Sequence, residues 1–241
     1  KNVTYFVSLK HFFFKTNFTY KLYLYYNLYI RHKCFIDRSR YSQWGEDLSI
    51  VEFFGEKKNG AYFDVGCFHP LMYSNTCLLF KNGWNGINID INPTSIDLFN
   101  IIRPNDLNLC TTISENGKEF KVYLDHPFSP INTLDQTFYD SLKSEFFKEV
   151  SFKTIKSKPI DEILKLSKFK NIDFLNIDVE GKDLSVLTQL VPHKLKPALI
   201  SIETHNVDGT KSRDCDKIND YMRECKFNTY KRVGPSTLFS N

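Results

Sequence analysis

The sequence predicts an α/β protein whose mostly parallel sheet is covered by helices on both faces. Short β-rich runs alternate with helical patterns from Tyr41 onward, and four of the five runs end at or next to an acidic or hydroxyl residue. This alternation is typical of parallel sheets, because parallel neighbours need a crossover connection. The last two β-rich runs are joined through Gly234-Pro235. A connection this short cannot hold a helical crossover, so we expect the sheet to end in an antiparallel hairpin.

Each predicted element has its own pattern. β-rich composition predicts strands over residues 61–65, 86–90, 107–111, 172–178, 198–204, 227–233 and 237–240. Apolar residues at helical spacing predict helices over residues 74–82, 94–102, 159–168, 184–190 and 214–225. These elements form a single domain over residues 41–241.

The composition excludes several classes of protein. The 241 residues are 41% hydrophobic and include 22 Phe, 13 Tyr and 2 Trp, which is more apolar surface than a disordered chain carries. The longest uncharged stretch, residues 65–80, contains His69 and Pro70 and is shorter than the roughly 20 apolar residues of a membrane-spanning helix. The six cysteines form no C-x-x-C pair and follow no signal-peptide pattern, so we expect reduced thiols and a cytoplasmic location.

The first forty residues form a separate, basic segment. They carry eight Lys/Arg against the single Asp37, so their charge of +7 leaves −3 for residues 41–241 of the total +4. Because the chain begins with Lys, we expect it to be part of a longer multidomain polypeptide. Residues 1–40 would then join the domain to an upstream one.

Aromatic side chains recur at helical spacing in this segment. The spacing of four, four, three and four residues predicts one face of a helix, formed by Phe14, Phe18, Leu22, Tyr25 and Tyr29. We favour a face packed on the main domain or on a missing neighbour. The alternatives are peripheral contact with a membrane surface and stacking on nucleic-acid bases.

The predicted ends of the first two strands carry the pattern of a nucleoside site. Asp64 ends the first strand, Gly66 follows in the turn, and Asp90 ends the second strand. Ligands of open α/β sheets bind beyond these strand ends, and a carboxylate can accept hydrogen bonds from two ribose hydroxyls. The alternative is that turn amides satisfy both acids.

The turn after Gly66 lacks the other glycines of a G-x-G-x-x-G loop, so a dinucleotide would lose its phosphate contacts. S-adenosylmethionine carries adenosine without phosphate and needs no such loop. Ser74, Asn75 and Thr76, before the next predicted helix, can donate hydrogen bonds to the carboxylate of this cofactor, although Ser74 alone is also a plain helix cap.

Several motifs together resemble the FkbM family of S-adenosylmethionine-dependent methyltransferases. They are Tyr41-Ser42-Gln43-Trp44-Gly45-Glu46-Asp47, Phe63-Asp64-Val65-Gly66, Ser74-Asn75-Thr76, Gly83-Trp84-Asn85-Gly86-Ile87-Asn88-Ile89-Asp90, Ile177-Asp178-Val179-Glu180-Gly181 and Ile202-Glu203. The resemblance implies a Rossmann-like class I methyltransferase fold with a seven-stranded sheet, and methylation of a hydroxyl on a sugar or glycan. It covers residues 41–241, and residues 1–40 match nothing in the family.

The resemblance also implies where the cofactor lies. The segment that contains Gln43 would fold over the cofactor, although Ser42 and Glu46 equally fit an ordinary helix start. Ser114, beyond the third strand, and Asp178 complete the predicted cofactor-binding residues. Cys67 replaces the Ala that commonly follows the motif glycine.

Methyl transfer to a sugar hydroxyl needs a base, because the hydroxyl is a very weak acid. The candidates Asp178, Glu180, Glu203 and His205 follow two neighbouring strands and are expected to converge on one pocket. In one scheme His205 or Glu180 takes the proton. In the other, Asp178 and Glu203 bind Mg²⁺ or Mn²⁺, which acidifies the bound hydroxyl.

Three other functions compete with this prediction. A nicotinamide-dependent oxidoreductase shares the strand-end acid but needs the missing glycine loop. A nucleic-acid methyltransferase would carry a D/N-P-P-Y/F motif where this chain has the acidic run Asp178 to Gly181, so we expect no nucleic-acid partner. A non-enzymatic membrane-surface or scaffold module would be based on residues 1–40 and leaves the strand-end acids unexplained.

Overall fold

The computed structural model describes residues 17–115, 117–124, 134, 140, 151–179, 181–190 and 195–241. The chain divides into two units, Lys1–Ser39 and Arg40–Asn241, called here the N-terminal unit and the α/β unit. No helix of the described residues is long and apolar enough to cross a membrane.

The described part of the N-terminal unit is helical. Helix α1 (Asn17–Tyr26) continues into a π-helical turn (Asn27–Arg31), and a 3₁₀ turn follows (Lys33–Phe35). The sequence predicted a helix here, and its aromatic periodicity agrees with α1.

The predicted aromatic stripe of this helix is exposed. Phe18, Leu22, Tyr25 and Tyr29 keep between 45% and 71% of their surface accessible. The buried side chains of the helix are instead Tyr23, Leu24 and Leu28. Phe14, the first residue of the predicted stripe, lies outside the described residues.

Nine strands are described in the α/β unit. They are β1 (Ala61–Val65), β2 (Asn85–Asp90), β3 (Leu107–Cys110), β4 (Glu119–Leu124), β5 (Ser151–Lys156), β6 (Phe174–Ile177), β7 (Leu199–Glu203), β8 (Asn228–Val233) and β9 (Ser236–Ser240). Seven of them form one sheet in the order β3-β2-β1-β6-β7-β9-β8. The first five strands of this order are parallel, whereas β9 is antiparallel to β7 and β8. The predicted parallel sheet with a C-terminal antiparallel hairpin is confirmed.

Six helices are described around the sheet. They are α2 (Glu46–Phe54), α3 (Cys77–Lys81), α4 (Pro93–Ile102), α5 (Ile160–Leu166), α6 (Asp183–Leu190) and α7 (Cys215–Glu224). The start of α4 follows from its local sequence, because Asn92 accepts a hydrogen bond from the Thr94 amide at 3.0 Å and Pro93 needs no partner for its nitrogen.

The strands β4 and β5 were not predicted. They pair antiparallel in a separate two-stranded sheet, with Glu119 opposite Lys156 and Leu124 opposite Ser151. Lysines interrupt both strands, and Lys and Glu are depleted in strands. The tertiary pairing overrides this weak local signal.

Alternate side chains of the main sheet enter two separate cores. On one face, Phe63, Leu175 and Ile200 pack in a core with residues of α5, α6 and α7; we call this the α5–α7 face. On the other, Tyr62, Phe174 and Leu199 pack with Ile50 of α2 and Leu79 of α3; we call this the α2–α3 face. Period-two alternation of strand side chains produces both cores from the same strands.

Candidate functional site

A cleft opens at the carboxyl ends of β1, β2, β6 and β7. Its volume is about 150 Å³, and each of the four strands or the turn behind it contributes an acid: Asp64, Asp90, Asp178 and Glu203. This is the edge at which open α/β sheets bind ligands. The cleft therefore lies where the sequence predicted the chemistry.

The α2–α3 face of the sheet becomes polar as the strands approach the cleft. Asp64 lies two residues beyond Tyr62 on β1, and Glu203 lies four residues beyond Leu199 on β7, so each shares a face with the apolar residue before it. Asn176 of β6 pairs with Asp64 in the strand register. The same face that packs α2 and α3 thus supplies the floor of the site.

The cleft is strongly acidic. Among the described residues that line it, five carry carboxylates and one carries a positive charge, Lys182. The acids are Glu46, Asp64, Asp90, Asp178 and Glu203. Like charges at this density favour a ligand that brings positive charge.

Asp64 is buried and held in place by neighbouring side chains. Its carboxylate accepts hydrogen bonds from the Thr76 hydroxyl at 2.7 Å and the Asn176 amide at 2.9 Å. Asn176 in turn accepts a hydrogen bond from the Asn75 side chain at 2.9 Å. Burial raises the pKa of Asp64. Asp64 therefore joins β1 and β6 to the loop that carries Asn75.

The buried guanidinium of Arg103 belongs to the same hydrogen-bond network as Asp64, through Thr76. Its Nη1 donates to the Thr76 hydroxyl at 2.8 Å, and its Nη2 donates to the Pro70 carbonyl at 2.6 Å and to the Ser74 hydroxyl at 3.0 Å. Nη1 also donates to the Tyr62 hydroxyl at 3.1 Å. Three aromatic rings surround the cation at 4.8 to 5.6 Å: Phe99, Phe80 and Tyr62. Arg103 thus fixes residues 70–76 to the sheet without touching the cleft itself.

Gly66 is required by the backbone at the mouth of the cleft. Its φ of +84° suits glycine, and a Cβ there would lie 1.7 Å from the Asp178 carbonyl oxygen. The amides of Gly66 and Cys67 both donate to the Ile89 carbonyl, at 2.9 and 3.1 Å. The turn after β1 is thereby held against both β2 and the segment after β6.

Asp90 is held by the backbone. Its carboxylate accepts hydrogen bonds from the Phe68 amide at 2.8 Å and the Asn92 amide at 2.7 Å, one on each oxygen. Two ionised oxygens offer about four acceptor positions, so Asp90 keeps capacity toward the cleft that it lines. Burial raises its pKa to about 6. The two predicted acids thus differ, because Asp64 is bound by side chains and Asp90 by amides.

Two cleft residues in the adjoining loop have a strained backbone. Phe68 and Tyr73 have φ values of +49° and +56°, which non-glycine residues rarely adopt. Buried His69 stabilises the turn between them, since its Nδ1 accepts the Leu71 amide at 3.1 Å and the Met72 amide at 3.0 Å. Such strain persists only where the surroundings enforce it, as at binding sites.

The segment before α2 covers one side of the cleft. Gln43, Trp44 and Glu46 all line it. Glu46 accepts hydrogen bonds from the Trp44 amide at 3.0 Å and the Ser236 hydroxyl at 3.3 Å, and the Trp44 ring occupies the space that a Cβ on Gly234 would need. Glu46 begins α2, as the helix-start interpretation expects, but the N-cap of this helix is Gly45 and not Ser42.

Asp178 and Glu203 interact within the cleft. Burial, followed by the charge of Glu203, raises the pKa of Asp178 well above its usual range. A pair of carboxylates in one buried site disfavours ionisation of both at once.

Three of the predicted site residues that the structure describes do not line the cleft. Thr76 lies beneath it, bonded to Asp64, and Ser114 donates its amide to the Lys158 carbonyl at 3.2 Å beyond β3. His205 leaves the strand, because its amide donates to the Pro235 carbonyl and its Nδ1 lies 2.8 Å from the Thr204 hydroxyl. Burial, followed by the nearby cations Arg232 and Lys211, lowers the pKa of His205. Glu180 lies outside the described residues.

The structure adds cleft residues that the sequence analysis did not assign to the site. They include Trp44, Phe68, Tyr73, Asn176, Lys182 and Ser236. Trp44 and Lys182 are adjacent to assigned motifs, so sequence proximity could have identified them. Asn176 and Ser236 can be assigned to the site only from the strand register, which places them beside Asp64 and Glu203.

A metal ligand set is not evident in the described part of the chain. There, no three His, Cys, Asp or Glu side chains lie close enough together to bind a metal ion. Asp178 and Glu203 both line the cleft, but two carboxylates would need water or substrate oxygens to complete the coordination of Mg²⁺ or Mn²⁺. The metal scheme stays a hypothesis.

The comparisons with known proteins point to one family. The model of the methyltransferase FkbM domain matches residues 59–229, which include every strand from β1 to the beginning of β8. No curated protein matches the chain.

Proposed function

We propose that this chain, which belongs to the FkbM methyltransferase family, uses S-adenosyl-L-methionine to methylate a hydroxyl of a sugar or glycan. The observation that carries the proposal is the acidic cleft at the carboxyl ends of the parallel strands, with Gly66 in the first turn and Asp90 at the end of the second strand. We take residues 41–241 as the catalytic domain, and residues 1–40 as a separate segment.

The residues of the cleft fit the charges of this cofactor. S-adenosylmethionine carries a sulfonium and an ammonium group, both positive, and would supply an activated methyl group to the acceptor. Five lining carboxylates offset these charges, and Lys182, which also lines the cleft, can pair with the cofactor carboxylate. Asp90 would accept the ribose hydroxyls, with Gln43, Gly66 and Asn75 at the sides of the site.

Asp178 is the residue that we assign as proton acceptor. The acceptor hydroxyl is a weak acid, so a carboxylate with a raised pKa is a better-matched base than an ordinary one. Burial and Glu203 raise the pKa of Asp178 in this way. A cation bound in the cleft stabilises ionised Asp178, which can then accept the hydroxyl proton on a carboxylate oxygen. Glu203 is a positioning residue that tunes this pKa, whereas His205 lies outside the cleft lining.

The cofactor assignment is tested by calorimetry with S-adenosylhomocysteine and, separately, NAD⁺ on the full chain. We expect binding of S-adenosylhomocysteine and none of NAD⁺. Asp90→Ala should weaken binding by about 1.5 to 3 kcal/mol, since charged hydrogen bonds are lost. Asp220→Ala is the matched control, because Asp220 is an exposed aspartate of α7 outside the cleft lining. Binding of NAD⁺ in place of S-adenosylhomocysteine would contradict this proposal and favour a nicotinamide-dependent oxidoreductase.

The base is tested by variants at the acid pair. Asp178→Asn should reduce turnover with a sugar acceptor by about 10² to 10⁴ and leave S-adenosylhomocysteine affinity within a few fold. Glu203→Gln should lower the pKa of Asp178 and move the acidic limb of the pH–rate profile to lower pH. An unmoved limb would show that Glu203 does not tune the base. Loss of activity with a chelator, restored by Mg²⁺ or Mn²⁺, would favour the metal scheme.

We also propose a cytoplasmic location. All six cysteines are free thiols, including exposed Cys34 and Cys110. Free exposed thiols suit a reducing compartment. Localisation of the tagged full chain by fluorescence microscopy tests this proposal.

A further inference from the structure

The N-terminal unit presents one exposed apolar face. It consists of six side chains of α1 and the π-helical turn, which keep between 45% and 71% of their surface accessible: Phe18, Leu22, Tyr25, Tyr26, Tyr29 and Ile30. We call this set the aromatic face. Exposed apolar patches of this kind mark interaction surfaces, since water does not stabilise them.

Exposed basic side chains, called here the cationic rim, lie in the same segment as the aromatic face. The residues 17–39 contain four basic side chains, all exposed, against the single carboxylate of Asp37: Lys21, Arg31, Lys33 and Arg38. The face therefore combines apolar rings with a cationic rim. A partner surface that matches it is apolar in its interior and negatively charged at its boundary.

We propose that the aromatic face docks this protein onto an anionic lipid surface, with α1 lying parallel to the membrane. A bilayer containing acidic phospholipid offers apolar chains to the rings and phosphate or carboxylate charge to the Lys and Arg side chains. The fifteen residues of α1 and the π-helical turn extend at most about 22 Å at 1.5 Å per residue, which is shorter than the hydrocarbon core. The described part of this helix is suited to lie in the interface and is too short to cross it.

The composition of the face favours lipid over the other occupants. Three of its six members are tyrosines, whose rings are apolar and whose hydroxyls remain hydrated at a bilayer boundary. The Tyr25 and Tyr29 rings stack on each other, with centroids 6.0 Å apart and an angle of 17° between their planes, so their facing surfaces are closed to nucleic-acid bases. Leu22 and Ile30 offer bases no stacking surface. A second copy of the chain would bring the same positive rim, which repels.

The proposal is tested by sedimentation of the full chain with phosphatidylcholine vesicles, with and without phosphatidylserine. We expect binding to the anionic vesicles only, and weaker binding as salt is raised, because salt screens the cationic rim. The triple variant Phe18→Ser/Tyr25→Ser/Tyr29→Ser should reduce binding by at least about tenfold, since apolar insertion is lost. Val207→Ser is the control, because Val207 is 72% exposed in the α/β unit and outside the aromatic face.

A second set of variants separates charge from apolar contact. Lys33→Gln and Arg38→Gln should each reduce anionic-vesicle binding by about fivefold while keeping the rings intact. Circular dichroism of every variant checks that the chain is folded, and the salt dependence of the unchanged chain needs no variant. Equal binding to neutral and anionic vesicles, no binding at low salt, or full binding by the triple variant overturns the proposal. Preference for a single-stranded oligonucleotide over vesicles also overturns it, in favour of nucleic acid.

Discussion

The two faces of the main sheet come from the same strands but have different uses. On the α5–α7 face, β1 and β7 are apolar to their ends, with Val65 and Ile202 in the core. On the α2–α3 face the same strands end in Asp64 and Glu203, and Asp64 is buried among hydrogen-bond partners. One face thus stabilises the fold by burial of apolar area, and the other combines packing with a binding site.

The α2–α3 face shows how the protein accommodates buried polar side chains in one hydrogen-bond network. Asp64 and Arg103 would each destabilise an apolar core, but they share Thr76, which donates to one and accepts from the other. Tyr62 extends this hydrogen-bond network, since its hydroxyl accepts a hydrogen bond from Arg103 and donates one to Asp106 at 2.5 Å. Each of these side chains has hydrogen-bond partners, although the buried Nε of Arg103 has none among the described residues.

The largest effect on stability is expected on the apolar face. Phe63 is fully buried in the core of α5, α6 and α7. Phe63→Ala should reduce the free energy of unfolding by about 3 to 5 kcal/mol, because it removes apolar burial and leaves a cavity. Urea unfolding measures the loss, and calorimetry at a temperature where the variant is folded should give an unchanged affinity for S-adenosylhomocysteine. A large change in affinity would mean that the two faces are coupled.

A smaller stability loss with a larger binding loss is expected beneath the cleft. Arg103→Met keeps much of the side-chain volume but leaves the Pro70 carbonyl and the Ser74 and Thr76 hydroxyls without their donor, at about 1 to 3 kcal/mol for a buried unsatisfied group. Because residues 73–75 line the cleft, affinity for S-adenosylhomocysteine should fall by at least about tenfold. Arg103→Lys should recover part of the affinity, since it restores one charged donor. An affinity equal to that of the unchanged chain would make Arg103 purely a core residue.

The smallest effect is expected from pH, through Asp90. Its pKa is raised to about 6, so Asp90 loses its charge as pH falls through 6, and binding of S-adenosylhomocysteine should weaken by up to about tenfold per pH unit below that value. The stability of the ligand-free protein should change in the opposite direction. A carboxyl with a raised pKa in the folded state contributes stability that is present at low pH and lost as pH rises through about 6.

The measurements for Asp90 are calorimetry and thermal melting between pH 4 and 8, because the stability change develops between the ordinary pKa of 3.8 and the raised pKa of about 6. In Asp90→Asn both pH dependences should be reduced, whereas Asp220→Asn should leave them unchanged. If the affinity is independent of pH in the unchanged chain, Asp90 does not contact the ligand.

The sequence predicted most of the fold because the relevant signals are local. The five parallel strands and the C-terminal hairpin were predicted from β-rich runs and from the short Gly234-Pro235 connection, and all are present. The pair β4 and β5 was missed, because 26 residues separate the two strands and their lysines obscure the strand pattern. Pairing across such a distance depends on contacts that a local window does not contain.

The candidate site also contains residues that local sequence predicted correctly and one that it did not. Asp64, Gly66, Asp90, Asp178 and Glu203 were predicted from their positions at strand ends, and the structure brings all of them to one cleft. His205 was expected to accompany Glu203 by alternation. It does not, because the strand ends at Glu203 and the Pro235 carbonyl binds the next two amides.

The positions of acids at the ends of buried parallel strands could be predicted without a structure, since strand length, apolar content and strand-end residues are all local properties. The role of each acid depends on the tertiary fold. Asp64 is held by side chains from residues 12 and 112 positions away in the chain. Asp90 is held by amides that leave acceptor capacity toward the cleft. The pKa of Asp178 is raised by burial and then by the charge of Glu203. Hydrogen bonds, burial and pKa depend on neighbours that are close in space and distant in the chain, so no local pattern of residues specifies them.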